Sequence, residues 1–149
     1  MRDIKFRGKR IDNGEWVYSY SISQNFLKLN DGTIKSSVYL GDGINGLRIV
    51  DPKTVGQFTG LKDKNNVEIY EGDIIKSIYK NHVTGEIKFG LYEDDGILDD
   101  LYTKHRHGFY VETKQNRKDS LIGVNKETWF EVIGNRTDNP TALIETSSE

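Results

Sequence analysis

The chain has no cysteine, which excludes disulfides and thiolate metal sites and makes a reducing compartment its simplest setting. It is also short of apolar material. Hydrophobic residues make up 35% of its 149 residues against 30% charged, and no apolar run approaches membrane-spanning length. Met1-Arg2-Asp3-Ile4-Lys5-Phe6-Arg7 turns polar at once and lacks the apolar stretch of a secretory leader. These absences predict a cytoplasmic protein with no membrane partner. Catalytic signatures are missing too. There is no P-loop and no Gly-x-Gly-x-x-Gly, since Gly41-Asp42-Gly43 lacks both the third glycine and the strand-to-helix setting. No Gly-x-Ser-x-Gly elbow presents a nucleophile. The expectation is a protein that is not an enzyme, with no cofactor and no identifiable small-molecule substrate.

What is present is aromatic: eight Tyr, six Phe and two Trp, 11% of the chain. A disordered chain is poor in aromatics and unbalanced in charge, and this one is neither. Short segments rich in strand formers alternate with turn signals. Trp16-Val17-Tyr18-Ser19-Tyr20-Ser21-Ile22 reads as a strand with Trp16, Tyr18, Tyr20 and Ile22 on one face. Asn30-Asp31-Gly32 joins Phe26-Leu27-Lys28-Leu29 to a strand running from Thr33 to Leu40, a strong hairpin signal. Further strands are expected at 54–59, 67–70, 74–79, 86–92, 108–113 and 128–133, with a hairpin turn at Asn116-Arg117-Lys118-Asp119. The one helix signal lies at 95–104, where Asp95 caps a segment with Ile97, Leu98, Leu101 and Tyr102 at helical spacing.

The pattern predicts an α+β protein, predominantly β. A strand-rich N-terminal lobe over 1–66 precedes a small SH3-like antiparallel barrel over 67–149, with one short helical insertion and a frayed tail. One continuous domain is the alternative division. The alternation places Trp16, Tyr18, Phe58, Ile74, Phe89, Phe109, Trp129, Val132 and Ile133 in the core.

Net charge is only −2, but its distribution is uneven. Lys5, Arg7, Lys9 and Arg10 form a basic N-terminal strand, and Glu93, Asp94, Asp95, Asp99 and Asp100 an acidic segment. The two suit a nucleic-acid or subunit contact and an acidic contact surface respectively, although solvated strand flanks produce the same pattern. His105 and His107, two apart on a strand, point the same way. A third ligand at a defined spacing is missing and His82 stands alone, so no metal site is assigned.

Four stretches resemble the YopX family of bacteriophage and prophage proteins. They are Ile4-Lys5-Phe6-Arg7-Gly8 with Gly14-Glu15-Trp16-Val17-Tyr18; Val50-Asp51-Pro52-Lys53-Thr54-Val55-Gly56-Gln57-Phe58-Thr59-Gly60-Leu61-Lys62-Asp63-Lys64-Asn65; Glu68-Ile69-Tyr70-Glu71-Gly72-Asp73-Ile74-Ile75; and Phe130-Glu131-Val132-Ile133-Gly134-Asn135 with Asn139-Pro140. The resemblance implies a β-rich fold and a phage or prophage setting, and supplies no catalytic residues. Residues 23–48 and 93–120 depart from it. Physically, the matched glycines suit bends and close approaches, and Asp73 suits a turn in which it accepts backbone N–H groups.

The leading functional expectation is therefore a phage-encoded accessory protein that self-associates as a homo-oligomer and acts as an interaction or assembly module. A nucleic-acid-binding regulator, using the barrel and the basic strand, ranks second. A metal-dependent hydrolase ranks third.

Overall fold

Strand-forming runs broken every few residues by Asp, Asn and Gly fold as antiparallel sheets joined by tight turns. The computed structural model describes residues 3–41, 46–77, 84–94, 104–120 and 130–145. They divide into two compact units, 1–58 and 59–149. The division lies inside a strand, upstream of the polar turn near residue 66 where composition suggested it.

The first unit holds β1 (Phe6–Lys9), β2 (Trp16–Ser19), β3 (Ser21–Lys28), β4 (Ile34–Gly41) and β5 (Leu47–Val50). A 3₁₀ turn, Pro52–Thr54, leads into β6 (Gly56–Lys62). Asp51 starts that turn by accepting the Lys53 N–H at 3.0 Å, and Pro52 has the preset φ for the first position. β1 pairs with β2 and with the start of β6, while β3, β4 and β5 form a three-stranded sheet in that order. The expected hairpin at Asn30-Asp31-Gly32 is present. Leu29 N–H donates to Thr33 O at 2.8 Å, Asp31 Oδ1 accepts from Thr33 N–H at 2.8 Å, and Gly32 has φ +85°. The run from Trp16 to Ile22 is two strands rather than one, separated by a bend at Tyr20. Ser19 stitches the bend: its Oγ accepts from Ser21 N–H at 2.9 Å and donates to Gly41 O across the unit. Val38, Leu40 and Val50 are the buried core, packed by Phe6, Val17 and Val55.

The second unit takes the end of β6, then β7 (Glu68–Tyr70), β8 (Asp73–Ser77), β9 (Thr84–Asp94), β10 (Lys104–Thr113), β11 (Lys118–Ser120), β12 (Phe130–Asn135) and the short helix α1 (Ala142–Glu145). Its main sheet has the order β11-β10-β9-β8-β12. Among the described residues that sheet is open, with β11 and β12 as its edges, where strand number had suggested a closed barrel. Closure requires both edges to pair along their length, and the described part of β11 is three residues long. The expected helix over 95–104 lies outside the described residues except at Lys104, which opens β10. The core is Ile69, Ile75, Ile87, Phe109 and Val111, flanked by Leu61, Phe130 and Val132.

Two buried carboxylates hold this unit's turns. Asp63 Oδ1 accepts from Asn65 N–H at 2.8 Å and Val67 N–H at 2.9 Å, and its Oδ2 accepts from Val132 N–H at 3.0 Å. The turn between β6 and β7 is thereby docked on β12, and Lys64 adds a 2.6 Å ion pair to Glu131. Asp73, as the sequence suggested, accepts a backbone N–H, that of Tyr70, at 2.7 Å. The adjoining Gly72 has φ +84°, donates its N–H to Ile87 O and accepts from Arg136 N–H. A side chain there would be strained in backbone and would meet the Arg136 guanidinium at 3.1 Å.

Of the expected core, Phe58, Ile74 and Phe109 are buried, while Trp16, Val132 and Ile133 are partly so. Trp129 lies outside the described residues. Two positions require correction. Tyr18 is 49% exposed because the inner face of β2 is formed by Val17 and Ser19, the opposite parity. Phe89 is 43% exposed although it pairs with buried Phe109, the two ring centres lying 4.8 Å apart.

Two outcomes follow for stability. Asp63→Ala strands three backbone N–H groups and should cost about 3 kcal/mol in urea unfolding. Asp63→Asn should also destabilise, because an amide presents only one acceptor oxygen to two opposed sets of donors. The second outcome concerns Lys88, which donates to Glu112; that bond raises the Lys88 pKa above its ordinary 10.5. A raised lysine pKa adds stability that is fully present below 10.5 and fades as pH climbs through the folded-state value. Glu112→Gln should therefore lower the melting temperature at neutral pH, and the gap from wild type should narrow in strongly alkaline buffer.

Candidate interaction surfaces

In β1 Phe6 turns its side chain inward and Gly8 its Cα hydrogen, so Arg7 and Lys9 lie on the outer face, with Lys5 directly preceding the strand. Gly8 makes this possible. A Cβ at that position would stand 3.0 Å from both Cβ and Cγ2 of buried Val50 and 3.2 Å from Leu40 Cδ1. β1 is pinned further by Lys9 N–H to Thr54 Oγ1 at 2.8 Å and Asp51 N–H to Lys9 O at 2.8 Å.

The β1–β2 register sets Arg7 opposite Tyr18 and Lys9 opposite Trp16, so the outer basic row lies beside an outer aromatic row. The Arg7 guanidinium is 4.8 Å from the Trp16 ring centre and Lys9 Nζ is 6.0 Å from it. Lys5 Nζ is 5.9 Å from the centres of both Tyr18 and Tyr20. Such distances allow cation–π attraction, which holds the ammonium and guanidinium groups over the rings. Arg7 is itself buried, whereas Tyr20 is 69% exposed. An open concavity beside these rings is lined by Tyr18, Tyr20, Gly41, Gly46 and Leu47 among others. Arg10, the fourth basic residue singled out, does not join this face. Its guanidinium pairs with Asp12 at 2.5 Å and approaches Glu15 at 3.9 Å, and the pairing lowers the Asp12 pKa.

A second surface is the β3–β4 hairpin. All eight residues of β3 are exposed, and Phe26, Leu27 and Ile34 present large apolar side chains near the turn. Ile22, Phe26 and Ile34 lie on the same side of the hairpin as buried Val38 and Leu40, by the register Ile22–Leu40 through Lys28–Ile34. The apolar side thus runs beyond the core it covers. β3 is also an edge among the described strands.

The acidic segment is only partly described. Glu93 is exposed and Asp94 ends β9 opposite Lys104, while Asp95, Asp99 and Asp100 lie outside the described residues. His105 Nδ1 lies 3.6 Å from Glu93 Oε1, and His107 stacks edge-on to Phe89 with ring centres 5.0 Å apart. The two histidines do share a face of β10. No group of three or more His, Cys, Asp or Glu residues able to hold a metal occurs among the described residues.

Residues 5–144 match the YopX protein family. The chain belongs to the YopX family. The crystal structure of protein EF1440 from Enterococcus faecalis is similar at a TM-score of 0.44 and 22% identity, covering 94% of this chain and 97% of that one. No functionally curated protein matches. The YopX stretches coincide with structural devices: Gly8 against Val50, the Asp51 cap, the Asp63 and Asp73 turns, and the Asn135–Asn139 turn, where Asn135 Oδ1 accepts from Thr137 and Asp138 N–H. Tyr18 and Tyr20 as surface groups were missed from sequence. The signal lay in the other parity, where Gly8, Val17 and Ser19 are the small or branched residues a tight inner face needs.

Gly8→Ala tests whether this close approach seats the basic strand. The added methyl meets Val50 Cβ, which cannot rotate away, so a cost of about 1–3 kcal/mol is expected in urea unfolding. A variant as stable as wild type would show that β1 sits more loosely on Val50.

Proposed function

We propose that this YopX-family chain is a non-enzymatic accessory protein of a phage or prophage that works as a self-associating interaction module, and that the β3 edge is its subunit contact. The observation that carries the reading is the character of that edge. Residues 21–27, Ser-Ile-Ser-Gln-Asn-Phe-Leu, contain no charge, no proline and no glycine. Monomeric proteins blunt an exposed edge with such residues, because unpaired N–H and C=O groups recruit another strand. Here the only charge on β3 is Lys28 at its far end. Phe26, Leu27 and Ile34 add apolar surface at the same place, of the kind that marks protein–protein contact. Antiparallel pairing of β3 with its copy would be self-complementary across a two-fold axis, and would continue each three-stranded sheet into the other. The non-enzymatic part of the reading rests on the sequence, which carries no recognised catalytic motif.

Sedimentation velocity at micromolar concentration should show a species heavier than a single chain. Asn25→Lys/Leu27→Glu places charges on exposed positions of the edge and should return the protein to a monomer with unchanged circular dichroism. Wild-type protein that sediments as one chain across a wide concentration range would end this reading.

A further inference from the structure

We infer that the outer face of β1 and β2 is a binding platform for single-stranded nucleic acid, with Tyr18 and Tyr20 stacking bases and Lys5 and Lys9 meeting phosphates. The inference is separate from self-association, which uses the β3 edge. Side chains on one face of an extended strand recur about every 6.6 Å. Trp16 and Tyr18 follow that spacing along β2, with Lys9 and Arg7 opposite them in register, and Tyr20 follows at the bend, its ring centre 5.9 Å from Lys5 Nζ. The result is planar rings flanked by a row of cations, the combination with which single-strand binders stack successive bases while neutralising the backbone.

The details separate this partner from others. Tyr20 at 69% exposure and Tyr18 at 49% retain open ring surface despite the ammonium of Lys5 near both. A core aromatic would have lost that surface, and a duplex, whose bases are already stacked, would gain little from it. An acidic peptide could meet the lysines but carries no planar group for the rings. The concavity edged by Gly41, Gly46 and Leu47 adjoins both tyrosines. Arg7, buried 4.8 Å from the Trp16 ring centre, supports the indole from the strand side and adds positive charge beneath the platform. Arg10 is committed to Asp12 and Glu15 and takes no part. The net charge of −2 does not oppose a local site of this kind, because screening confines electrostatics to about 10 Å at 0.1 M salt.

The test is fluorescence anisotropy with the full chain and a labelled oligothymidylate of about 12 nucleotides, titrated between about 50 and 200 mM salt. Binding should weaken with salt, and Lys5→Ala and Lys9→Ala should each reduce the slope of log affinity against log salt by about 0.7. Tyr20→Ala, at an exposed position that leaves the fold intact, should weaken binding by about 10-fold. A duplex of the same length should compete poorly. Four results would overturn the inference: no anisotropy change at the lowest salt, affinity unaltered in Tyr20→Ala, equal binding of duplex, or Lys5→Ala and Lys9→Ala reducing oligomer size while no oligonucleotide binds. The last would assign the face to a subunit contact instead. Monomeric wild-type protein that still binds oligothymidylate would support the platform while ending the self-association reading, so the two fail independently.

Discussion

The contact between β1 and Val50 governs the first unit. A strand presents alternate residues to opposite faces, so fixing one side chain's direction fixes the rest. Gly8 lies so close to Val50 and Leu40 that only hydrogen fits there without displacement. Once Gly8 faces inward, Phe6 does too, and Lys5, Arg7 and Lys9 are carried outward together. Pairing transmits the choice to β2: Gly8 opposite Val17 turns that valine inward, and Trp16 and Tyr18 follow the basic row to the outer face. A positively charged, ring-bearing surface is thus the necessary reverse side of a close inner packing.

The second unit solves a different problem. Its turns contain charged and amide groups that would be costly to bury without partners. Asp63 and Asp73 are both nearly inaccessible; the Asp63 carboxylate accepts three backbone N–H groups and that of Asp73 accepts the Tyr70 N–H. Asp63 reaches from its own turn to Val132, 69 residues away in sequence, so it connects a local turn to a distant strand. This explains why a chain with modest apolar content can hold short strands in order. Polar turns are tied into the sheet by charged hydrogen bonds rather than left to hydrophobic burial alone.

Both proposed surfaces arise where elements outrun the core. The β3–β4 hairpin has eight paired positions, but its buried residues are confined to Val38 and Leu40 at the base. The outer half keeps its strand pairing without a layer to cover its apolar side. On the outer side of β1 and β2 the rings of Tyr18 and Tyr20 are exposed, while Lys5, Lys9 and Trp16 are half-buried and Arg7 is buried. The chemistry of the two patches differs: mainly apolar on one, cationic and aromatic on the other.

By itself the sequence determined the strand-rich class, the turn at Asn30-Asp31-Gly32, the role of Asp73, the segregation of Lys5, Arg7 and Lys9, and membership of the YopX family, because these depend on local chemistry and spacing. It also placed Trp16, Tyr18 and Tyr20 on a common face. Which face was buried could not be read from that pattern, since an aromatic alternation looks the same turned in or out. Only the tertiary structure decided it, through the approach of Gly8 to Val50. The open sheet in place of a barrel was likewise a tertiary outcome, set by edge strands whose lengths and pairings no local signal specifies. Alternation fixes which residues go together; packing fixes which way they go, because only a distant neighbour can fill or obstruct the space on one side of a strand.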